Sequence, residues 1–276
     1  MGSIQEDVAT ASTGDRRRIN AIRALGLPRY VLLPGDPDRV DLMASQWEDA
    51  NVVQLPRGYR AAVGTYKGAR IGAVSTMVGA PSLDGILTDL AALGADTFIR
   101  VGTCGTLREE IETGSLIIND ASVRLDGTSQ FYVRPEYPAV ASFDVTFALV
   151  DAAATAGLAH RVGTGTTSGS FYAGQGRPGI NGYLSLESER IFEEAKRSGV
   201  LNFEMETAAL LTLSRLHGFR AGSICSVIAN RITGVWGENG GVARACQTAA
   251  EAVYRLTNWD AKASSADRRY ISSADI

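Results

Sequence analysis

The chain has 276 residues, 45% of them hydrophobic and 21% charged, and a formal net charge of −3 at pH 7. This is the make-up of a globular protein with a large core, and the absence of a linker or charge block in its middle favours one domain over two. The slight negative balance argues against general phosphate-backbone binding, so no nucleic acid partner is expected, although a local basic pocket is allowed.

No apolar run is long enough to span a membrane and the N-terminal region has no signal-peptide core, so a cytoplasmic protein that does not engage membranes is expected. Cys104, Cys225 and Cys246 are odd in number and far apart, which speaks against a disulfide framework or a zinc cluster. The two histidines, His160 and His217, both fall where a helix is expected to end, a place suited to a C-cap. Any chemistry must therefore run without a histidine base.

In chain order, residues 1–18 and 261–276 are polar and aperiodic, and are expected as flexible tails around a domain of residues 19–260. Strands are expected at 30–33, 69–75, 97–101, 114–118, 161–166 and 221–229, several of them ending in glycine turns. Helical spacing marks 83–93, 145–156, 187–198, 207–217 and 242–256, with 40–47 a further candidate. The alternation predicts an α/β fold, a central mixed but largely parallel sheet flanked by helices, with ligands at the carboxyl ends of the strands.

Those ends carry the chemistry. Gly35-Asp36-Pro37-Asp38-Arg39 offers a close backbone approach and a cation to an anion; it also reads as an ordinary helix start with Asp36 as N-cap and Arg39 in solvent. Arg100 lies inside an apolar strand, where a guanidinium needs an anion, and Gly102-Thr103 follow as further donors. Cys104 has no histidine near it in sequence and reads as a small packing residue. The loop 168–177 combines Phe171, able to stack on a planar ligand, with Gln175 and Arg177, able to read its edge; an exposed loop with a packed Phe is the alternative. Arg231 ends another apolar strand, as a ligand or as half of a surface ion pair. In 202–206, Glu204 and Glu206 interrupt a core-like run; in extended chain they share one face, so 202–206 is expected as strand end or loop with Thr207 as helix N-cap.

Taken together and in order, the segments 33–40, 75–82, 98–105, 121–127, 171–177, 202–206 and 227–231 resemble the nucleoside phosphorylase I family, on its uridine phosphorylase side, over about 25–257. The resemblance implies phosphorolysis of a pyrimidine nucleoside, uridine first, to free base and (deoxy)ribose 1-phosphate. Inorganic phosphate is the co-substrate, and no metal or organic cofactor is expected. By similarity, Gly35, Arg39, Arg100 and Thr103 hold phosphate, with Arg57 reaching in from a neighbouring subunit. Glu204, Met205 and Glu206 hold the ribose. Cys104, Gly105, Phe171, Gln175, Arg177 and Arg231 surround the base, and Arg39, Arg100, Gln175, Arg177 and Glu206 are the expected catalytic set. The role of Arg57 implies a homodimer as the smallest unit, and the family also forms hexamers.

The chain departs from the family in several places. Residues 15–30 hold no histidine where uridine phosphorylases supply one to the ribose 5′-hydroxyl, leaving Asn20 or an arginine to serve there. Gly58 replaces a glutamate that helps bind an interfacial potassium ion, so no such ion is expected. Met77 replaces a turn glycine, Gly176 and Pro178 replace bulkier residues, and Asn230-Arg231 occupy the region where purine-specific members place an aspartate acid. A hydrolytic nucleosidase, a phosphorylase for another nucleoside and a non-catalytic nucleoside-binding or storage protein are the rival readings.

Overall fold

The computed structural model describes residues 13–238, 240–268 and 271–272. Strand β1 (Tyr30–Pro34) is the pivot of the sheet. It pairs in parallel with β4 (Ala69–Val74) on one side and β5 (Thr97–Thr106) on the other. Beyond β4, the strands β3 (Arg60–Tyr66) and β2 (Glu48–Gln54) continue as an antiparallel ribbon that the sequence reading did not include. Beyond β5 the sheet curls. β5 runs parallel to β10 (Arg220–Asn230), which pairs antiparallel with β6 (Leu116–Leu125); β6 carries β8 (His160–Ser168) in parallel. The short β9 (Asn202–Glu204) bridges β8 back to β5 and closes this half into a small barrel, with β7 (Ala139–Val140) on the outer side of β6.

The strands alternate their side chains between two helical layers. Leu32, Ile99, Val101 and Ile224 pack under α2 (Asp38–Ala44), α4 (Phe143–Thr155) and α7 (Val242–Ser265). Val31, Leu33 and Phe98 pack under α1 (Thr13–Ala24), α3 (Ala80–Ala92) and α6 (Thr207–Leu216). Helix α5 (Leu186–Arg197) covers the barrel end with Phe192 stacked near Phe203. A central strand buried on both faces reads as a continuous apolar run, which is why β1, β5 and β10 stand out in the sequence. Among the described residues no helix is long and apolar enough to cross a membrane.

Several expected boundaries move. Helix α1 begins inside the stretch expected as a tail, where Arg18, only 6% exposed, pairs with Asp89 of α3. Helix α7 runs to Ser265, past the expected boundary at 260, with Trp259 and Ala263 buried. Residues 1–12, 269–270 and 273–276 lie outside the described residues. His160 opens β8 instead of ending a helix, while His217 is the C-cap of α6 as expected. All three cysteines are buried and free.

Candidate active site

The carboxyl ends of β1, β5, β9 and β10 surround a cavity of about 480 Å³. At one end is the turn after β1. A Cβ on Gly35 would stand 3.0 Å from the Met77 carbonyl oxygen, so the turn is held close to the chain opposite it. A helix does start here, but with Pro37 in the N-cap position in place of the expected Asp36, whose carboxylate accepts from the Asp38 N–H at 3.0 Å. The anion reading gains support too, because Arg39 is not in solvent. It is half-buried, its Nη1 donates to the Val101 carbonyl at 2.8 Å, and no carboxylate pairs with it among the described residues. Burial lowers its pKa, with the nearby Arg100 pushing the same way. A desolvated cation without a counterion is a place for an anion.

Arg100 is one strand position inward and 4% exposed. The stretch Gly102–Gly105, expected as a turn, is strand: β5 continues through it to Thr106. A side chain at Gly102 would meet the Arg100 guanidinium at 2.7 Å, so glycine is what lets Arg100 fold back along its own strand. The guanidinium then meets both carboxylates of β9 and the chain after it. Its Nε lies 2.8 Å from Glu204 and its Nη2 2.6 Å from Glu206. Burial alone lowers the Arg100 pKa, but the two carboxylates outweigh it and the net direction is up.

The two glutamates differ in what they have left to offer. Glu204 is saturated: besides Arg100 it accepts from the Thr167 hydroxyl and from the backbone N–H groups of Glu206 (2.8 Å) and Thr207 (2.9 Å). It therefore caps α6, a role the sequence reading gave to Thr207, whose hydroxyl instead meets Ser223 at 2.9 Å. Glu206 has two partners among the described residues, Arg100 and the N–H of Gly79 at the start of α3. Burial raises its pKa, Glu204 adds to the rise, and Arg100 opposes it. Met205, Glu206, Met77 and Val78 also line the cavity. Met77 holds a φ of +58°, a left-handed conformation that costs about 1 to 3 kcal/mol and suits the glycine it replaces.

At the far end lie Cys104, Gly105, Phe171, Gln175 and Arg177. Burial raises the Cys104 pKa, which keeps the thiol protonated and fits packing better than nucleophilic attack. Gln175 is 3% exposed and its carboxamide makes no hydrogen bond among the described residues, so its donor and acceptor face the cavity. Gly176, at φ +64°, turns the chain where a Cβ would strike Phe192 at 2.6 Å, so a bulkier residue cannot stand there. Arg177 stacks on Phe171, 4.7 Å from ring centroid to Cζ. Arg231 lies behind this layer: Nη2 donates to the Gln175 carbonyl at 3.0 Å, and the guanidinium packs over Phe192. Burial and the neighbouring Arg177 push its pKa down to about 10.

The fold thus gathers Gly35, Arg39, Arg100, Thr103, Gln175, Arg177 and Glu206 around one cavity. Arg57 does not belong to it: the residue is exposed at φ +65° in the turn before β3. Asn20 is also elsewhere, with Oδ1 accepting from Arg23 at 3.1 Å. Among the residues that line the cavity, Trp236, from the loop after β10, lies outside every segment singled out in the sequence, while Ile228, inside 227–231, sits at the bulge of β10. The only sequence signal for Trp236 is a large aromatic in a glycine-rich loop.

Comparison with known proteins agrees with this geometry. The family model described as the phosphorylase superfamily matches residues 29–258. A uridine phosphorylase from Thermococcus kodakarensis is 47% identical over 241 residues, covering 87% of each chain. The uridine phosphorylase of Escherichia coli is 38% identical, over 72% of this chain and 79% of its own. A guanosine phosphorylase from Halorubrum lacusprofundi is 33% identical, over 74% and 79% respectively. With one cavity built from the strand ends and a match that spans its whole sheet, this chain belongs to the phosphorylase superfamily.

Proposed function

We propose that the chain catalyses the reversible phosphorolysis of uridine or a close pyrimidine nucleoside, giving the free base and (deoxy)ribose 1-phosphate. The observation that carries this reading is the set of groups gathered in one cavity: a cation with no carboxylate partner among the described residues, an arginine-held carboxylate, and amide and guanidinium donors. Relatives named uridine phosphorylase at 47% and 38% identity support the same choice.

In this reading phosphate sits against Arg39, the Thr103 hydroxyl, the Gly35 N–H and Arg100 Nη1, which has no protein partner among the described residues. Phosphate oxygen attacks C1′ as the C1′–N1 bond breaks and its electron pair leaves with the base. Positive charge on the sugar is stabilised by the phosphate dianion beside it, and binding both reactants in one cavity supplies the proximity. Negative charge spreads to the base oxygens, where Gln175 and Arg177 meet it, so no histidine acid is needed. Glu206 accepts from the ribose hydroxyls.

A pyrimidine is favoured over a purine because Asn230 offers no acid. Its Nδ2 donates to the carbonyls of Arg108, Glu109 and Ile111, and its Oδ1 accepts from Ile232 and Thr233, so the carboxamide is consumed by the fold. The family resemblance further supports a dimer or larger homo-oligomer in the cytoplasm, with Arg57 completing a neighbour's phosphate site. The test is a nucleoside panel with and without phosphate. Phosphate-dependent release of uracil is expected; release independent of phosphate identifies a hydrolase, and binding without turnover a storage protein.

A further inference from the structure

Arg177 has an orientation problem. No hydrogen bond or ion pair anchors its side chain among the described residues, its Nε is buried without a partner, and burial lowers its pKa. What touches the guanidinium is aromatic: Phe171, and on the loop after β10 the indole of Trp236, 5.1 Å from centroid to Cζ. A flexible cation that must meet developing charge at a fixed point works best when it is oriented beforehand.

The loop is built to hold that indole in place. Asn230 N–H donates to the Val235 carbonyl at 2.8 Å, and Gly237 N–H to that of Ile228 at 3.0 Å. Trp236 thereby pairs with Ala229 across a single antiparallel bridge. A Cβ at Gly237 would stand 2.6 Å from Thr113, so glycine is what lets the chain lie down there. Yet the indole itself is 59% exposed, whereas the other two tryptophans, Trp47 and Trp259, are 8% and 5% exposed and belong to the core. A large ring fixed by its backbone, little buried by packing, and resting on the cavity's unanchored cation points to a role at the cavity.

We propose that Trp236 is a positioning residue: with Phe171 it orients the Arg177 guanidinium toward the departing base, and it forms part of the wall of the base subsite. The proposal rests on the assignment of that end of the cavity to the base. Trp236→Ala should lower kcat/KM for uridine about tenfold, consistent with a partly desolvated cation–π contact, while the KM for phosphate stays unchanged. Trp236→Phe, which keeps a ring under the cation, should recover most of the loss. In an Arg177→Ala background the Trp236→Ala change should cost little more, because the group it orients is gone. Uracil should also perturb the emission of the wild type's exposed indole and not that of Trp236→Phe.

An unaltered kcat/KM in Trp236→Ala, or losses that simply add to those of Arg177→Ala, overturns the proposal while wild-type turnover keeps the pyrimidine reading. A wild type inactive on every pyrimidine nucleoside overturns both. Thermal melting of each variant separates either result from misfolding, and the exposure of the indole predicts little change there.

Discussion

Arg100 Nη2 lies 2.6 Å from the Glu206 carboxylate, and both residues line the cavity that also holds Arg39. The carboxylate is a partner of the cation and, in the proposed reaction, the group that accepts from the ribose hydroxyls. Glu206→Gln keeps the shape and leaves Arg100 paired with Glu204, so stability should change little. Turnover should fall about 100-fold or more, the order of 3 kcal/mol that an electrostatic contact to the transition state supplies. Equal loss of both, by steady-state kinetics and melting, would make Glu206 structural.

The same carboxylate sets a pH dependence. Burial raises its pKa above the ordinary 4.5. If the ionised form accepts from ribose as proposed, kcat/KM should fall as pH drops through that raised value, on an acid limb that Glu206→Gln abolishes. Stability runs the opposite way. The folded state holds this proton more tightly than the unfolded state, so the group's contribution is present at acid pH and lost as pH rises through the folded pKa. A pH series of kinetics and denaturation on both proteins checks the two signs together.

Glu204 should behave in the contrary manner. Its carboxylate accepts from Arg100, Thr167 and two backbone N–H groups with no exposed side-chain surface. Glu204→Gln turns an amide donor toward groups that are themselves donors, and breaking a buried pair costs about 3 to 5 kcal/mol. Chemical denaturation should show that loss, with activity falling because Arg100 and the start of α6 both lose their anchor.

Arg39 offers a third combination. Half-buried and with no carboxylate partner among the described residues, it is costly to the fold except for its bond to Val101. Arg39→Ala should therefore change stability by only about 1 kcal/mol. The KM for phosphate should rise sharply and kcat/KM should drop about 100-fold. A variant with normal phosphate kinetics would place the anion elsewhere in the cavity.

How far the sequence discloses this site depends on the range of each contact. Arg100 is legible because an arginine in an apolar strand has no water to turn to. Its partner Glu204 is not, since it lies 104 residues further along and only the closure of β9 onto β5 joins them. The glycines at 102 and 105 read as a turn because glycine usually punctuates. Here they are strand residues kept small for Arg100 and for the Arg231 stem, which a Cβ at Gly105 would meet at 3.2 Å. Strand β2 is silent in sequence because, as an exposed polar edge, it has no apolar face to advertise. Thr207 has the chemistry of an N-cap, but its hydroxyl turns to Ser223, and it is Glu204, from the strand before, that accepts from the N–H groups of Glu206 and Thr207 at the helix start.

Arg57 carries the last prediction. Exposed, left-handed in its turn and outside its own cavity, it makes no side-chain hydrogen bond or ion pair among the described residues that explains an arginine there. If it completes a neighbour's phosphate site, Arg57→Ala and Arg39→Ala should each be weak alone. Co-expressed, they should form mixed dimers in which one site has its own Arg39 and the partner's intact Arg57, while the other site has neither. Activity should then reappear above that of either variant, and sedimentation should show a dimer or larger assembly at assay concentration. Recovery on mixing cannot arise if each chain builds its site alone, so two weak variants that stay weak together, or a fully active monomer, would remove Arg57 from the mechanism.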